Sequence, residues 1–336
     1  MTIKKKATIQ DVALLAGVGK TSVSRYLNNE FDILSDEIKE KIQIAITSLN
    51  YKPSQLARSM KGGKTKLIAL VFADLSISYA TEIMQGVEAA CRKYGYTLLV
   101  FNANNEKAQE KKILQILTGY QVEGVIIQAL KTHDQNFKGF TLPVVSVDRT
   151  IYGLKNDLVH LDNNQAVQIA MEHLVNQGFQ RILFITETIR DIEARQQRTA
   201  AFNEFIQHNS NCSGEVVELR NTKNEDEIDP VVSAFYHLEP DIKKAIFTVN
   251  GSVMLNTTLA LKRLKLKWGK DIGLIGFDDP IWASVVGCGV TTIRQPTDKI
   301  GYTAFELLLK RIRGDDSDVQ TVLYPGELII RESTQL

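Results

Sequence analysis

Lys20, Thr21, Ser22, Ser24 and Arg25 crowd one short segment with no acid among them. Arg and Lys donate to O6 and N7 of guanine, while Ser and Thr bond phosphates or base edges. A second set of polar residues recurs just after short apolar runs: Asp74 and Ser76, Asp148-Arg149, Asp162-Asn163, Asn250, and Asp278-Asp279. Any one of these can be a helix cap or a loop residue. Their recurrence in one kind of position points to a cleft with a few convergent polar groups, as a polar small ligand needs. Arg195 and Arg198 lie three apart and project on one side of a helix. Two guanidiniums there suit a carboxylate or phosphate. For Arg195, pairing with Glu193 or Asp191 at the surface is an equal alternative. Trp282 offers a flat face for a sugar ring.

Catalytic constellations are not found. Gly63-Lys64-Thr65 resembles the end of a phosphate-binding loop, but the required upstream glycine falls on Arg58. There is no Gly-x-Ser-x-Gly, the five histidines have no metal spacing, and Asp278-Asp279 have no cooperating base or nucleophile. The expectation is a binding protein that is not an enzyme, with no cofactor and no metal.

The elements that must position these residues change character along the chain. Thr8-Ile9-Gln10-Asp11 is a capping pattern that opens a helix with Ile9, Val12, Ala13 and Ala16 on one face. Gly17 ends it, because a tight turn needs the left-handed backbone that glycine adopts freely. A second helix is expected from about Lys20 to Leu27, burying Val23 and Leu27. A third opens at Ser35 and buries Ile38, Ile42, Ala45, Ile46 and Leu49. Two short helices across a turn, braced by a third, read as a helix-turn-helix that places Lys20 to Arg25 in the major groove. A small helical bundle with a solvated polar face is the alternative.

From Leu67 onward, apolar runs alternate with amphipathic stretches of helix length. Leu67–Phe72, Leu98–Phe101, Gly124–Ala129, Pro143–Val147, Arg181–Ile185, Val216–Leu219, Ala245–Val249 and Ile272–Phe277 read as buried strands. Helices are expected around Ile83–Tyr94, Asn105–Gly119 and Asn164–Gln177. Two such runs predict two parallel-sheet α/β subdomains with ligands at the carboxyl ends of the strands.

Composition agrees with this division. The chain has 336 residues, 44% hydrophobic, which suits two or three domains. Residues 1–66 carry twelve Lys and Arg against six Asp and Glu, a balance of +6; the total of +1 leaves −5 for the remainder. A basic head on a mildly acidic body suggests a polyanion partner for the head. No stretch approaches a membrane helix, and no apolar segment follows Lys4-Lys5-Lys6 as a secretory signal requires. Cys91, Cys212 and Cys288 read as free thiols of a cytoplasmic protein.

The head is similar to the lactose-repressor (LacI/GalR) family of transcriptional regulators. The similarity rests on Ala7-Thr8-Ile9-Gln10-Asp11-Val12-Ala13, Ala16-Gly17-Val18, Thr21-Ser22-Val23-Ser24-Arg25, Leu27-Asn28, Leu49-Asn50-Tyr51-Lys52-Pro53-Ser54 and Leu56-Ala57-Arg58-Ser59-Met60. Val145–Arg149, Leu161-Asp162-Asn163, Gly178–Ile182, Ile275–Asp279 and Thr291–Pro296 extend it over the body. The resemblance implies a multidomain fold: a helix-turn-helix domain at 1–52, a hinge helix and linker at 53–64, and an effector and dimerisation domain at 65–336. The last divides into α/β subdomains like those of periplasmic sugar-binding proteins, at 65–162 plus 294–323 and 163–293 plus 324–336. It makes Lys20, Thr21 and Arg25 base readers, and Ser22, Ser24 and Asn28 phosphate contacts or helix supports. Thr8, Tyr51 and Ser54 join the DNA-binding set. Ala57 would pack in the minor groove and Met60 would wedge between base pairs, where the family usually has Leu; packing against the next protomer is a compatible role. Gly19 stands where the family usually caps with Ser, a substitution that costs a few tenths of a kcal/mol.

In the body, the resemblance places Tyr79, Asp148 and Arg149 on one wall of the ligand pocket and Arg198, Asn250 and Asp278 on the other, with Asp74, Arg195 and Trp282 added from the residues themselves. It is closest to regulators of ketodeoxygluconate-like sugar acids. The implied partners are a pseudo-palindromic DNA operator, a sugar or sugar-acid effector and a second copy of the chain. The end at Ser333-Thr334-Gln335-Leu336 shows no leucine-heptad tail, so a dimer is expected. A sugar-binding transport protein is the rival reading, disfavoured by the basic head and the missing signal.

Overall fold

The structure is a computed structural model that describes residues 7–27, 30–52, 64–131, 135–190 and 192–335. The chain divides into two compact units, Met1–Thr65 and Lys66–Leu336.

The first unit contains helices α1 (Ile9–Ala16), α2 (Lys20–Leu27) and α3 (Asp36–Ser48). Both halves of the Thr8/Asp11 capping box form: Asp11 N–H donates to Thr8 Oγ1 at 3.3 Å, and Thr8 N–H donates to Asp11 Oδ2 at 2.7 Å. Gly17 ends α1 with φ of 66°, and its N–H closes back on Ala13 and Leu14. Ser35 caps α3. Val12, Ala13, Ala16, Val23, Ile42 and Ala45 form the buried core, and Ile38, Ile46, Leu49 and Tyr51 pack on it. Leu27, expected inside, is only half-buried, because it closes the edge of so small a core.

The second unit holds two six-stranded sheets. The first has strand order β11-β5-β4-β3-β1-β2 and is wholly parallel. Its strands are β1 (Leu67–Phe72), β2 (Thr97–Asn102), β3 (Gly124–Ile127), β4 (Val144–Val147), β5 (Asp157–Leu161) and β11 (Thr321–Tyr324). The second has order β12-β10-β9-β8-β6-β7 and is parallel except at β12. It contains β6 (Arg181–Glu187), β7 (Ser213–Leu219), β8 (Lys244–Thr248), β9 (Gly273–Phe277), β10 (Thr291–Arg294) and β12 (Glu327–Ile329). The chain therefore passes between the subdomains three times, after β5, after β10 and between β11 and β12. Tyr324, assigned by its sequence position to the second subdomain, pairs with Leu161 in the first sheet.

The central strands are continuous apolar runs because helices cover both faces of each sheet. β2 and β7, expected to be buried, are edge strands with several half-exposed positions. The helices of the first subdomain are α4 (Ser78–Tyr94), α5 (Lys107–Gly119) and α11 (Thr297–Ile312). Those of the second are α6 (Asn163–Asn176), α7 (Glu193–His208), α8 (Glu225–His237), α9 (Gly251–Arg263) and α10 (Ile281–Val285). α4 and α11 cross at two glycines. A Cβ on Gly86 would lie 2.1 Å from the Asp298 carbonyl oxygen, and one on Gly301 would lie 2.3 Å from that of Ile83. Among the described residues no helix is long and apolar enough to cross a membrane, and no cluster of side chains could hold a metal ion.

Candidate nucleic-acid interface and ligand cleft

In the head, α2 buries Val23 and turns its other faces outward. Lys20, Thr21 and Arg25 are exposed; Ser22 and Ser24 are half-buried. Neither Lys20 nor Arg25 forms an ion pair among the described residues. No acid lies in the first turn of α2, so its free N–H groups and Lys20 share one positive end. Tyr26 Oη donates to Gln43 Oε1 and pins α2 to α3. Thr8 is engaged as a helix cap, and Tyr51 packs against the head's core. Asn28, Ser54, Ala57 and Met60, with the expected hinge helix, lie outside the described residues.

In the body, two aspartates occupy matching positions. Asp148 follows β4 with φ of 68°, and Asp278 follows β9 with φ of 70°. A left-handed backbone costs an L-residue about 1–2 kcal/mol, and Asp is one of the few types that visit it. Each takes a glutamine amide from its own side of the cleft: Gln128 Nε2 donates to Asp148 Oδ2 at 2.9 Å, and Gln295 Nε2 to Asp278 Oδ1 at 2.6 Å. The other oxygen of Asp278 accepts Gly251 N–H at 2.8 Å, at the start of α9.

Three guanidiniums join them. Arg149 Nη1 donates to the carbonyls of Ala129 and Leu130 at 2.8 and 3.1 Å, with Nε 3.5 Å from Asp148. Arg198 is 4% exposed. Its Nε donates to Asn163 Oδ1 at 2.8 Å, its Nη1 to the Val249 carbonyl at 2.6 Å, and its plane lies 3.8 Å above the Phe277 ring. Burial weakens the hold of Arg198 on its proton, and the nearby Asp278 and Asp148 carboxylates counter that. Arg195 is also destabilised as a cation by burial and is offset by Glu187, whose carboxylate takes its Nη2. Its described partner is therefore Glu187 and not Glu193, while Asp191 lies outside the described residues.

Tyr79, buried near the start of α4, belongs to the same group. Burial pushes its hydroxyl pKa well up; Asp148 and Asp278 push it further, against Arg198 and Arg149. Groups from both subdomains thus act on one phenol. Asn250 caps α9 through Val253 N–H at 2.9 Å and donates to Glu187 Oε2 at 2.9 Å. Asp74 is occupied by Ser76 N–H and Asn105 Nδ2, both at 2.9 Å, and Trp282 packs on the second subdomain's core. No hydrogen bond among the described residues ties either one to the group.

The buried polar atoms left without a hydrogen bond include Tyr79 Oη, Gln128 Oε1, Arg149 Nε and Gln295 Oε1. Buried polar groups are ordinarily satisfied, and these four are not. Gln128, Gln295 and Glu187 are absent from the sequence-based set, although each directly follows or ends a strand. Gln128 sits inside the apolar run Gly124–Ala129, and Glu187 lies two residues beyond the run Arg181–Ile185, so apolar runs alone pass over both.

Residues 8–54 match the family described as bacterial regulatory proteins, lacI family, and residues 171–334 match the periplasmic binding protein-like domain. The chain is 39% identical over 331 residues to the HTH-type transcriptional regulator PtxS of Pseudomonas aeruginosa, covering 98% of this chain and 96% of that protein. It is 35% identical over 339 residues to the HTH-type transcriptional regulator KdgR of Bacillus subtilis, covering 98% and 100%. Its fold is that of the lac repressor dimer bound to operator and the anti-inducer ONPF, with TM-score 0.83, 23% identity, and coverage of 99% and 100%. A LacI-type regulator from Alkaliphilus metalliredigens, complexed with D-xylulofuranose, gives TM-score 0.71 at 24% identity, covering 80% and 98%.

Proposed function

The chain belongs to the lacI family of bacterial regulatory proteins, and from that premise we propose that it represses transcription at a pseudo-palindromic operator under the control of a small sugar-like effector, with a sugar acid as the favoured class. Lys20, Thr21 and Arg25 read bases, supported by Ser22 and Ser24. The effector lies between the subdomains against Tyr79, Asp148, Arg149, Arg198, Asn250 and Asp278. One observation carries this reading: the orphaned atoms of the cleft. Arg149 Nε is a donor without a hydrogen bond that suits an anionic oxygen, while Gln128 Oε1 and Gln295 Oε1 can accept sugar hydroxyls. A related fold holding D-xylulofuranose supports the sugar-like class.

The protein works as a homodimer in the cytoplasm. Leu255 and Leu259 on α9, and Ile281 and Val285 on α10, are 41%, 43%, 88% and 75% exposed. Apolar pairs four residues apart on helices after neighbouring strands suit burial against a second copy. A monomer in sedimentation equilibrium at micromolar concentration would contradict this. The cytoplasmic location accords with three cysteines that are free.

Thermal unfolding of the full-length protein against sugars, sugar acids and sugar phosphates tests the effector class. A ligand at a hundred times its Kd adds about 2.7 kcal/mol of stability. Sugar acids are expected to raise the melting temperature and their neutral parent sugars are not. A response to neutral sugars alone refutes the acid, and no response from any class refutes the cleft as a sugar site.

A further inference from the structure

Glu193 is the first residue of α7 in the second subdomain, yet its Oε2 accepts the backbone N–H of Thr150, 2.9 Å away, in the loop that follows β4 in the first. Its Oε1 accepts from Gln197 Nε2 at 3.2 Å, one helical turn on. Gln197 Oε1 in turn accepts from Asn163 Nδ2 at 2.7 Å, and Asn163 Oδ1 accepts Nε–H of Arg198 at 2.8 Å. An unbroken relay of side chains therefore joins a backbone amide on one wall of the cleft to the buried guanidinium on the other.

We propose that Glu193 is a positioning residue with two linked duties: it latches the cleft shut at Thr150, and through Gln197 and Asn163 it fixes the orientation of Arg198. The polarity of the relay carries the argument. Asn163 is 3% exposed, and its amide must turn oxygen toward Arg198 and nitrogen away. Flipped, it would set its own N–H groups against Arg198 Nε–H, donor against donor. Gln197 Oε1 holds it the right way round by accepting its nitrogen. Gln197 is in turn ordered because its own amide nitrogen is claimed by Glu193. A carboxylate suits this place, since both its oxygens accept and it can serve Thr150 and Gln197 together. Separating the walls breaks the Thr150 bond alone, so the latch distinguishes a shut cleft from an open one. The inference depends on the effector reading only in giving Arg198 a ligand to meet.

The test needs no effector. Full-length wild type is compared with Glu193→Ala, Glu193→Gln and Gln197→Ala, each first checked for an unchanged melting profile. Two signals are followed: hydrogen exchange at the Thr150 amide, and the Nε–H resonance of Arg198 in arginine-labelled protein, assigned through Arg198→Lys. Glu193→Ala should speed Thr150 exchange about tenfold or more, as loss of a bond to a charged acceptor implies, and should move the Arg198 resonance. Glu193→Gln keeps an acceptor for Thr150 but offers a donor to Gln197. It should preserve protection at Thr150 while still shifting Arg198. Gln197→Ala should do the same. Unchanged Thr150 exchange in Glu193→Ala overturns the latch. An Arg198 resonance indifferent to Gln197→Ala overturns the relay. Failure of every sugar to bind leaves both signals readable, so the two readings fall separately.

Discussion

Arg25 and Arg198 show opposite uses of one side chain. Arg25 is exposed in the head, without an ion pair among the described residues. Arg198 is enclosed and commits Nε and Nη1 to the protein before any ligand arrives. Arg25→Ala should therefore leave stability nearly intact and weaken operator preference by about 1–3 kcal/mol for each bidentate bond to a base that it removes. Competition between operator and scrambled duplex measures it, and unchanged discrimination contradicts the role. His173 supplies a pH prediction. Its Nε2 meets Thr334 Oγ1 at 2.8 Å, tying α6 to the end of the chain. Burial lowers its pKa below the ordinary 6.5. The unfolded chain then takes up the proton first, so this residue's contribution to stability is fully present above pH 6.5. It is lost as the pH falls toward the folded-state value. Melting temperatures between pH 7.5 and 5 should drop less in His173→Gln than in wild type; an equal drop assigns the acid sensitivity elsewhere.

At the scale of elements, the crossing of α4 and α11 depends on backbone meeting backbone. Gly301→Ala gains at most about 1 kcal/mol of helix propensity. It forces a methyl to within 2.3 Å of a carbonyl that cannot turn aside, where overpacking costs about 1–3 kcal/mol or more. The urea midpoint should fall with an unchanged m-value; a rise would show that the helices separate cheaply. Nothing in the sequence marks Gly86 and Gly301 as a crossing, because the partner carbonyl lies on a different helix in each case. Local signals are legible: the Thr8/Asp11 box, the Gly17 stop, the Ser35 cap and the continuous apolar strands all depend on neighbours in the chain. β5, β10 and β11 are short strands of mixed polarity whose place depends on distant partners, and no local pattern marks them. The site is legible where side chains follow clear strand ends, as at Asp148 and Asp278. Glu187 meets Arg195 only when the end of β6 packs on α7, and the Glu193 to Arg198 relay arises only when α6 and α7 pack together. Spacing alone does not choose among Glu187, Asp191 and Glu193.

At the scale of the molecule, a basic head and an acidic body divide the work of binding a polyanion and a small ligand. Coupling between them is a free energy and is reciprocal: an effector that weakens operator binding must itself bind more weakly to the operator complex. The most direct test of this account is fluorescence anisotropy of a labelled symmetric operator with the full-length protein, repeated at several salt concentrations and with whichever sugar-like compound stabilises the protein. The account predicts operator binding at least about a thousandfold tighter than to scrambled DNA, a steep fall in affinity with salt, and a change of about 5- to 150-fold when the compound is present. Equal affinity for operator and scrambled DNA, or an operator affinity untouched by a compound that occupies the cleft, would contradict it.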